Sequence, residues 1–152
     1  MRILPLAFTE ASRSDIEAVS SITHAHATSI EACQLYVDIA RRLLKGQQLS
    51  EILSDLETST TYARLQTLAE LTEADIRSSG YVVDTLEAAL WCLLTSTSYP
   101  ETVLKAVNLG DDTDTVAAVA GGLAGIIYGL EGIPDNWLSQ LRNKELLESC
   151  LF

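Results

Sequence analysis

A chain of 152 residues, 47% hydrophobic and 20% charged, is long enough for one domain with a buried core, and this balance excludes a disordered segment. Its 10 Lys and Arg against 21 Asp and Glu leave a formal charge of −11, which argues against nucleic acid and anionic membrane as partners, since both call for a basic surface. The longest apolar run, Val116 to Leu130, falls short of the roughly 20 residues that a spanning helix needs, so a soluble, cytoplasmic protein is expected.

Residues 1 to 8 are an apolar opening broken by Pro5, too short for a secretory signal. Ser14 is placed to cap a short helix through Val19, with Asp15 and Glu17 in its first turn. A long helix follows Ser21-Ile22-Thr23-His24-Ala25-His26 and runs to about Lys45. Ile30, Cys33, Val37, Ala40 and Leu44 step by three and four along one face, basic residues crowd its last turn, and Gly46 stops it. His24 and His26, two apart, do not share a helix face and so do not read as a paired metal site. A single histidine at a helix start is more often a hydrogen-bonded structural residue.

Ser50 is placed to cap a short helix through Leu56, and Leu65, Leu68 and Leu71 keep helical spacing over 61–71. Ser78-Ser79-Gly80 is a break before an apolar helix carrying Leu86, Ala89, Leu90, Leu93 and Leu94. Tyr81 beside that glycine reads either as a ligand-stacking ring or as a lid on the core. Tyr99-Pro100-Glu101 opens the next helix, with Val103, Leu104 and Val107 as its expected buried face. The helix after Thr115 holds Gly121, Gly122, Gly125 and Gly129. Glycine costs about 1 kcal/mol in a helix relative to alanine, so close approach of neighbouring helices is expected there. Gly132-Ile133-Pro134 is read as its end, and a last helical stretch runs from Asp135 through Leu141 to Leu147. Cys33, Cys92 and Cys150 form no paired spacing and sit among apolar residues, the pattern of buried free thiols. With no strand and no repeat, the chain reads as all-α, a compact orthogonal helical array.

Between the last two long helices lies Asn108-Leu109-Gly110-Asp111-Asp112-Thr113-Asp114-Thr115, the densest group of hard oxygen donors in the chain. Carboxylates and hydroxyls in this density suit Mg2+ or Mn2+. Asp and Thr are also the favoured helix caps, and acids at a helix start are favoured by its dipole. Spacing alone leaves a metal or anion site and an over-acidic cap both open.

This loop and the glycine-rich helix after it resemble the C-terminal metal motif of the ADP-ribosylglycohydrolases, nearest to the dinitrogenase reductase-activating glycohydrolase branch. Ser21-Ile22-Thr23-His24, the run Ser79-Gly80-Tyr81-Val82-Val83-Asp84-Thr85-Leu86-Glu87-Ala88-Ala89-Leu90-Trp91, and Gly132-Ile133-Pro134 with Trp137 are similar to that family in the same order. The resemblance implies an all-α fold with a dinuclear Mg2+ or Mn2+ site that grips an ADP-ribosyl group, and hydrolysis at the ribosyl C1″ of an ADP-ribosylated protein or a small ADP-ribose conjugate. It implies Asp112, Asp114 and Thr115 as metal ligands, and Asp111 just behind them. It also implies His24 as a substrate contact, and Gly80, Tyr81 and Val82 as pocket wall.

The same resemblance implies a departure. Family members carry an early Thr-Asp-Asp-Thr segment that supplies the other ligands, and an acidic residue for water activation upstream of a Gly-Asn-Gly-Ser-Leu-Met-Arg-like stretch. This chain begins at what looks like the end of that stretch, so residues 1–152 are expected to be a single domain or half-domain, with the general base in the missing N-terminal half. Activity would then need that half in trans, or a homo-oligomer. A non-catalytic ADP-ribose-binding or regulatory module of the same fold is the alternative, and a structural domain whose acidic loop is only a cap is the third reading.

Overall fold

Helix α4, Val82–Leu94, is the element the rest of the chain packs around in the computed structural model, which describes residues 3–150. Met1 and Arg2, the first residues of the apolar opening, lie outside them. Ten of the thirteen residues of α4 are buried, and a helix that is apolar nearly all round has to be enclosed by others. Helix α6, Thr113–Tyr128, packs along it, α2, Ala27–Leu44, packs on both, and α5, Tyr99–Asn108, lies against α6. Helix α1, Arg13–Ser21, and a 3-10 turn at Leu4–Phe8 sit on α2, while α3, Leu49–Ser54, packs against α2 and a 3-10 stretch, Thr60–Glu70, that in turn lies on α4. There is no strand among the described residues, so the all-α expectation holds.

Several elements start or face differently from the sequence reading. The cap of α1 is Ser12, not Ser14. Ser12 accepts the Asp15 N–H while Asp15 accepts the Ser12 N–H at 2.8 Å, a capping box that only the three-residue spacing allows. Helix α3 begins at Leu49 after Gln48, so Ser50 caps nothing and is exposed. On α2 the buried set is Ala32, Cys33, Leu35, Tyr36, Val37, Ile39, Ala40 and Leu43, wider than one stripe, with Leu44 outside it. Arg41 Nη2 donates to the carbonyls of Leu6, Thr9 and Ala11, at 3.2, 2.8 and 2.8 Å, and so fastens the opening turn to α2. Residues 60–70 form a 3-10 rather than an α-helix, yet Tyr62, Leu65 and Leu68 are still fully buried.

Helix α5 turns a different face inward. Thr102 and Ala106 are buried, Val103 is half-buried, and Leu104 and Val107 are exposed. Small residues win this face because α6 comes close. A Cβ on Gly121 would lie 3.4 Å from Tyr99 Oη and from Val103 Cγ2. On the α2 side, a Cβ on Gly122 would lie 2.8 Å from both Leu4 Cδ2 and Tyr36 Oη. The close-approach account thus covers Gly121 and Gly122 but not Gly125, which faces open space. Helix α6 ends earlier than expected, at Gly129, whose φ of +69° a glycine adopts without strain. The final stretch is two short helices, α7, Asp135–Gln140, and α8, Lys144–Ser149, neither with a buried residue. Cys33 and Cys92 are buried as expected, and burial pushes the Cys92 thiol up to about 12, but Cys150 is exposed.

Three surface carboxylates that close local turns are expected to contribute to the acid limb of stability. Asp15 is held below its usual range by the Ser12 hydroxyl and N–H, Asp75 by the Thr72 hydroxyl and N–H, and Glu101 by the Thr97 N–H and hydroxyl. Each folded-state value is depressed, so each contribution is present above the ordinary carboxylate value and is lost as pH falls through the folded one. Buried Glu87, paired with Arg64 at 3.3 Å, is raised by burial and works in the opposite sense, since its contribution is lost as pH rises. The triple change Asp15→Asn, Asp75→Asn, Glu101→Gln is expected to flatten the fall in melting temperature below about pH 4. Circular dichroism melts from neutral to acid pH check this; an acid limb as steep as the parent's would show that other groups carry it.

Candidate active site

The acidic loop turns on two successive left-handed residues, Gly110 at φ +83° and Asp111 at φ +60°. Aspartate tolerates this conformation better than most side chains. Buried Ser78 holds the turn from the other side: its hydroxyl donates to the Gly110 carbonyl at 2.8 Å, and its own carbonyl accepts the Asp112 N–H at 3.0 Å. Asp112 then occupies the position before α6, yet its carboxylate caps no helix N–H. Instead, Oδ1 accepts the Thr115 hydroxyl at 2.8 Å. A Cβ on Gly80 would lie 3.3 Å from Oδ2, so the glycine lets the loop before α4 come this close. A carboxylate engaged by a hydroxyl and not by the helix amides departs from simple capping.

The segment before α4 is pinned by its own side chains. Ser79 donates to Asp84 at 2.6 Å and accepts the Tyr81 N–H at 3.2 Å, and the Thr85 hydroxyl bonds the carbonyls of Ser79 and Tyr81. This presents Tyr81 outward, 54% exposed, so the ring is no lid on the core. Across from it, the turn between α1 and α2 is tied by the His24 N–H on the Ser20 carbonyl at 2.9 Å and by the Ser20 hydroxyl on the His24 carbonyl at 3.2 Å. His26 caps α2, its Nδ1 accepting the Thr28 N–H at 3.2 Å. Buried Tyr62 donates to the Thr28 carbonyl at 2.8 Å, fastening this end of α2 to the 3-10 stretch.

These parts enclose a cavity of about 880 Å3. Asp112 and Thr115 line it together with His24, Gly80, Tyr81 and Val82, so six of the residues that the sequence singled out share one space. Asp111 and Asp114 do not line it and are exposed. The remaining walls come from residues to which the sequence reading gave no role in the site: Val19 and Ser20 on α1, Ile22 and Thr23 just after it, His26 just before α2, Thr28, Ser29 and Cys33 on α2, Thr85 on α4, and Ile3. The hydroxyl-rich run Thr23 to Ser29 was the signal available for most of the polar ones. No lysine or arginine lines the cavity, and Asp112 is its one carboxylate among the lining residues.

Hard oxygens at Asp112 and Thr115 fit a divalent cation by donor type. Among the described residues, however, no group of three or more His, Cys, Asp or Glu comes together at one point. The residues present therefore fit one side of a cation and do not enclose it.

Ser78→Ala removes the hydroxyl bond and leaves the Gly110 carbonyl without it, and about 1–2 kcal/mol of stability is expected to go with it. Urea unfolding of Ser78→Ala and Ser78→Thr measures this, with threonine restoring most of the loss. A fully stable alanine variant would mean that the loop holds itself.

A helical array with a cavity walled by a turn, a helix start and an acidic loop defines a pocket-bearing helical domain. A family model described as ADP-ribosylglycohydrolase matches residues 1–151, and the chain belongs to that family. It is 39% identical over 126 residues to the ADP-ribosylarginine hydrolase Tri1 of Pseudomonas putida, covering 80% of this chain and 34% of that protein. To the ADP-ribosyl-dinitrogen reductase glycohydrolase of Rhodospirillum rubrum it is 32% identical over 149 residues, covering 95% of this chain and 50% of that one. A solved structure described as an ADP-ribosylglycohydrolase-related protein complex superimposes with a TM-score of 0.75 at 32% identity, covering 90% of this chain and 50% of that one. The chain thus spans half or less of the length of these relatives. None of the helices among the described residues is long and apolar enough to cross a membrane.

Proposed function

We propose that this chain supplies one wall of a metal-dependent ADP-ribosylglycohydrolase site, acting on the ribosyl C1″ linkage of an ADP-ribosylated protein or a small ADP-ribose conjugate. The observation that carries this is the meeting of Asp112, Thr115, His24, Gly80, Tyr81 and Val82 around one cavity, in a chain of this family. Asp112 and Thr115, with Asp114 one step outside, would hold Mg2+ or Mn2+, and Asp111 would shape the turn behind them. When bound, such a cation polarises oxygens of the substrate and orients water.

The chain's own residues bind and orient. His24 and Tyr81 border the space where a ribose or diphosphate would lie, and Gly80 keeps the wall beside Asp112 low. The lining offers no second carboxylate to take a proton from water. In this reading the general base and the other ligands come from a further segment, met in trans or through a homo-oligomer, and residues 1–152 act as a half-domain. The same observation favours a second reading, a non-catalytic ADP-ribose-binding or regulatory module.

Calorimetric titration of ADP-ribose in excess Mg2+, repeated with EDTA, tests the common part. Metal-dependent binding supports both readings, and hydrolysis restored by adding the other segment of a relative selects the first. Absence of binding with both segments present would sink the proposal.

A further inference from the structure

His26 sits at the start of α2 with one of its two ring nitrogens already engaged. Nδ1 accepts the Thr28 N–H at 3.2 Å, and the residue lines the cavity beside His24, Thr28 and Ser29. A ring nitrogen that accepts a backbone N–H carries no proton, so in the neutral ring the proton is on Nε2, at the other edge. The capping bond therefore fixes both the tautomer and the direction of the remaining donor.

The ligand class follows from what else the cavity offers. No lysine or arginine lines it, and the chain carries a net charge of −11. The oxygens of an anionic ligand there that a bound cation does not reach have only uncharged or imidazole donors among the lining side chains, and a histidine whose ring is fixed by its Nδ1 bond is well suited to that role. We propose that His26 is a substrate-binding residue whose Nε2–H donates to an acceptor oxygen of the ADP-ribosyl group, either on the diphosphate or on a ribose hydroxyl. This rests on reading the cavity as an ADP-ribosyl site. The helix cap and the ligand contact are then two halves of one arrangement: Nδ1 sets the ring, Nε2 uses it.

The test separates capping from binding. His26→Asn keeps a side-chain oxygen that accepts the Thr28 N–H, since asparagine is among the best helix caps, but places no donor where Nε2 was. His26→Ala removes both. ADP-ribose and inorganic pyrophosphate are titrated separately into the wild type and both variants in excess Mg2+, with melting temperatures recorded for each. The proposal expects His26→Asn to melt with the wild type and to bind ADP-ribose about tenfold more weakly. A parallel loss for pyrophosphate assigns the contact to the diphosphate, and a loss for ADP-ribose alone assigns it to a ribose. Undiminished ADP-ribose affinity in His26→Asn overturns the proposal and leaves His26 a cap. The titrations are repeated with the other segment of a relative present; if the wild type then still binds neither probe, the ADP-ribosyl reading of this chain's cavity falls, and this proposal with it.

Discussion

Asp112→Asn is expected to weaken Mg2+-dependent ADP-ribose binding by about 100-fold or more while leaving stability within about 0.5 kcal/mol. The two effects separate because of how the residue is held. Its backbone N–H bonds the Ser78 carbonyl, and asparagine keeps that bond. Its Oδ1 accepts the Thr115 hydroxyl, and the amide oxygen of asparagine can do the same. What the substitution removes is the negative charge, which the fold uses only weakly, through the dipole of α6, and which a cation would use fully. Asp114→Asn, on an exposed residue outside the cavity lining, is expected to lose less. Calorimetry with Mg2+ and with EDTA, beside urea unfolding, measures both quantities. Wild-type binding by Asp112→Asn would show that the carboxylate holds no metal, and a large stability loss would return the loop to a structural role.

Gly122→Val is expected to destabilise the chain by about 2–3 kcal/mol. A Cβ at Gly122 would stand 2.8 Å from Tyr36 Oη and from Leu4 Cδ2. Leu4 can swing aside at small cost, being the far end of a flexible side chain. Tyr36 cannot, because it is buried on α2 and its hydroxyl donates to the Val119 carbonyl at 2.9 Å. Moving it breaks that bond inside the core, where no water replaces it. Leaving glycine returns only a few tenths of a kcal/mol of helix propensity. Gly125→Ala is the internal control: a Cβ there meets nothing within 4 Å, so stability should rise by up to about 1 kcal/mol. Equal unfolding midpoints for Gly122→Val and the parent would rule out this close approach of α2 and α6.

Much of this was legible in the sequence, for reasons that differ by residue. The apolar run from Val83 to Leu93 fixes a buried helix, because nothing else can be done with it in water. Gly110 and the acids after it announce a turn and a helix start through backbone chemistry alone. Which face α5 turns inward was not legible, since Leu104 and Val107 look more buriable than Thr102 and Ala106. The choice belongs to the pairing with α6, whose Gly121 lies against Tyr99 and Val103, and that is a property of the pair of helices. Ser12 displaced Ser14 as a cap for a similarly relational reason, the reach of Asp15. Of the site, Asp112 and Thr115 stood out as hard oxygen donors in one loop and Tyr81 as one of two readings, while the family resemblance gave them roles and added His24, Gly80 and Val82. Ser78 was read only as a break, because a hydrogen bond between residues 32 apart leaves no local trace, whereas the cap that His26 makes is local and agrees with its reading as a hydrogen-bonded residue at a helix start.

The cavity draws its walls from Ile3, from residues 19–33, from 80–85 and from 112–115, with every helix between them in place. No fragment of the chain can build it locally, so in kinetic terms it is a late, high-contact-order product of folding. Anything that binds there sees the native state and ignores the rest of the ensemble. Its binding energy is then shared by the whole fold: ligand at one hundred times its dissociation constant adds about 2.7 kcal/mol to global stability. Occupancy of this cavity by any ligand is thus expected to raise the melting temperature.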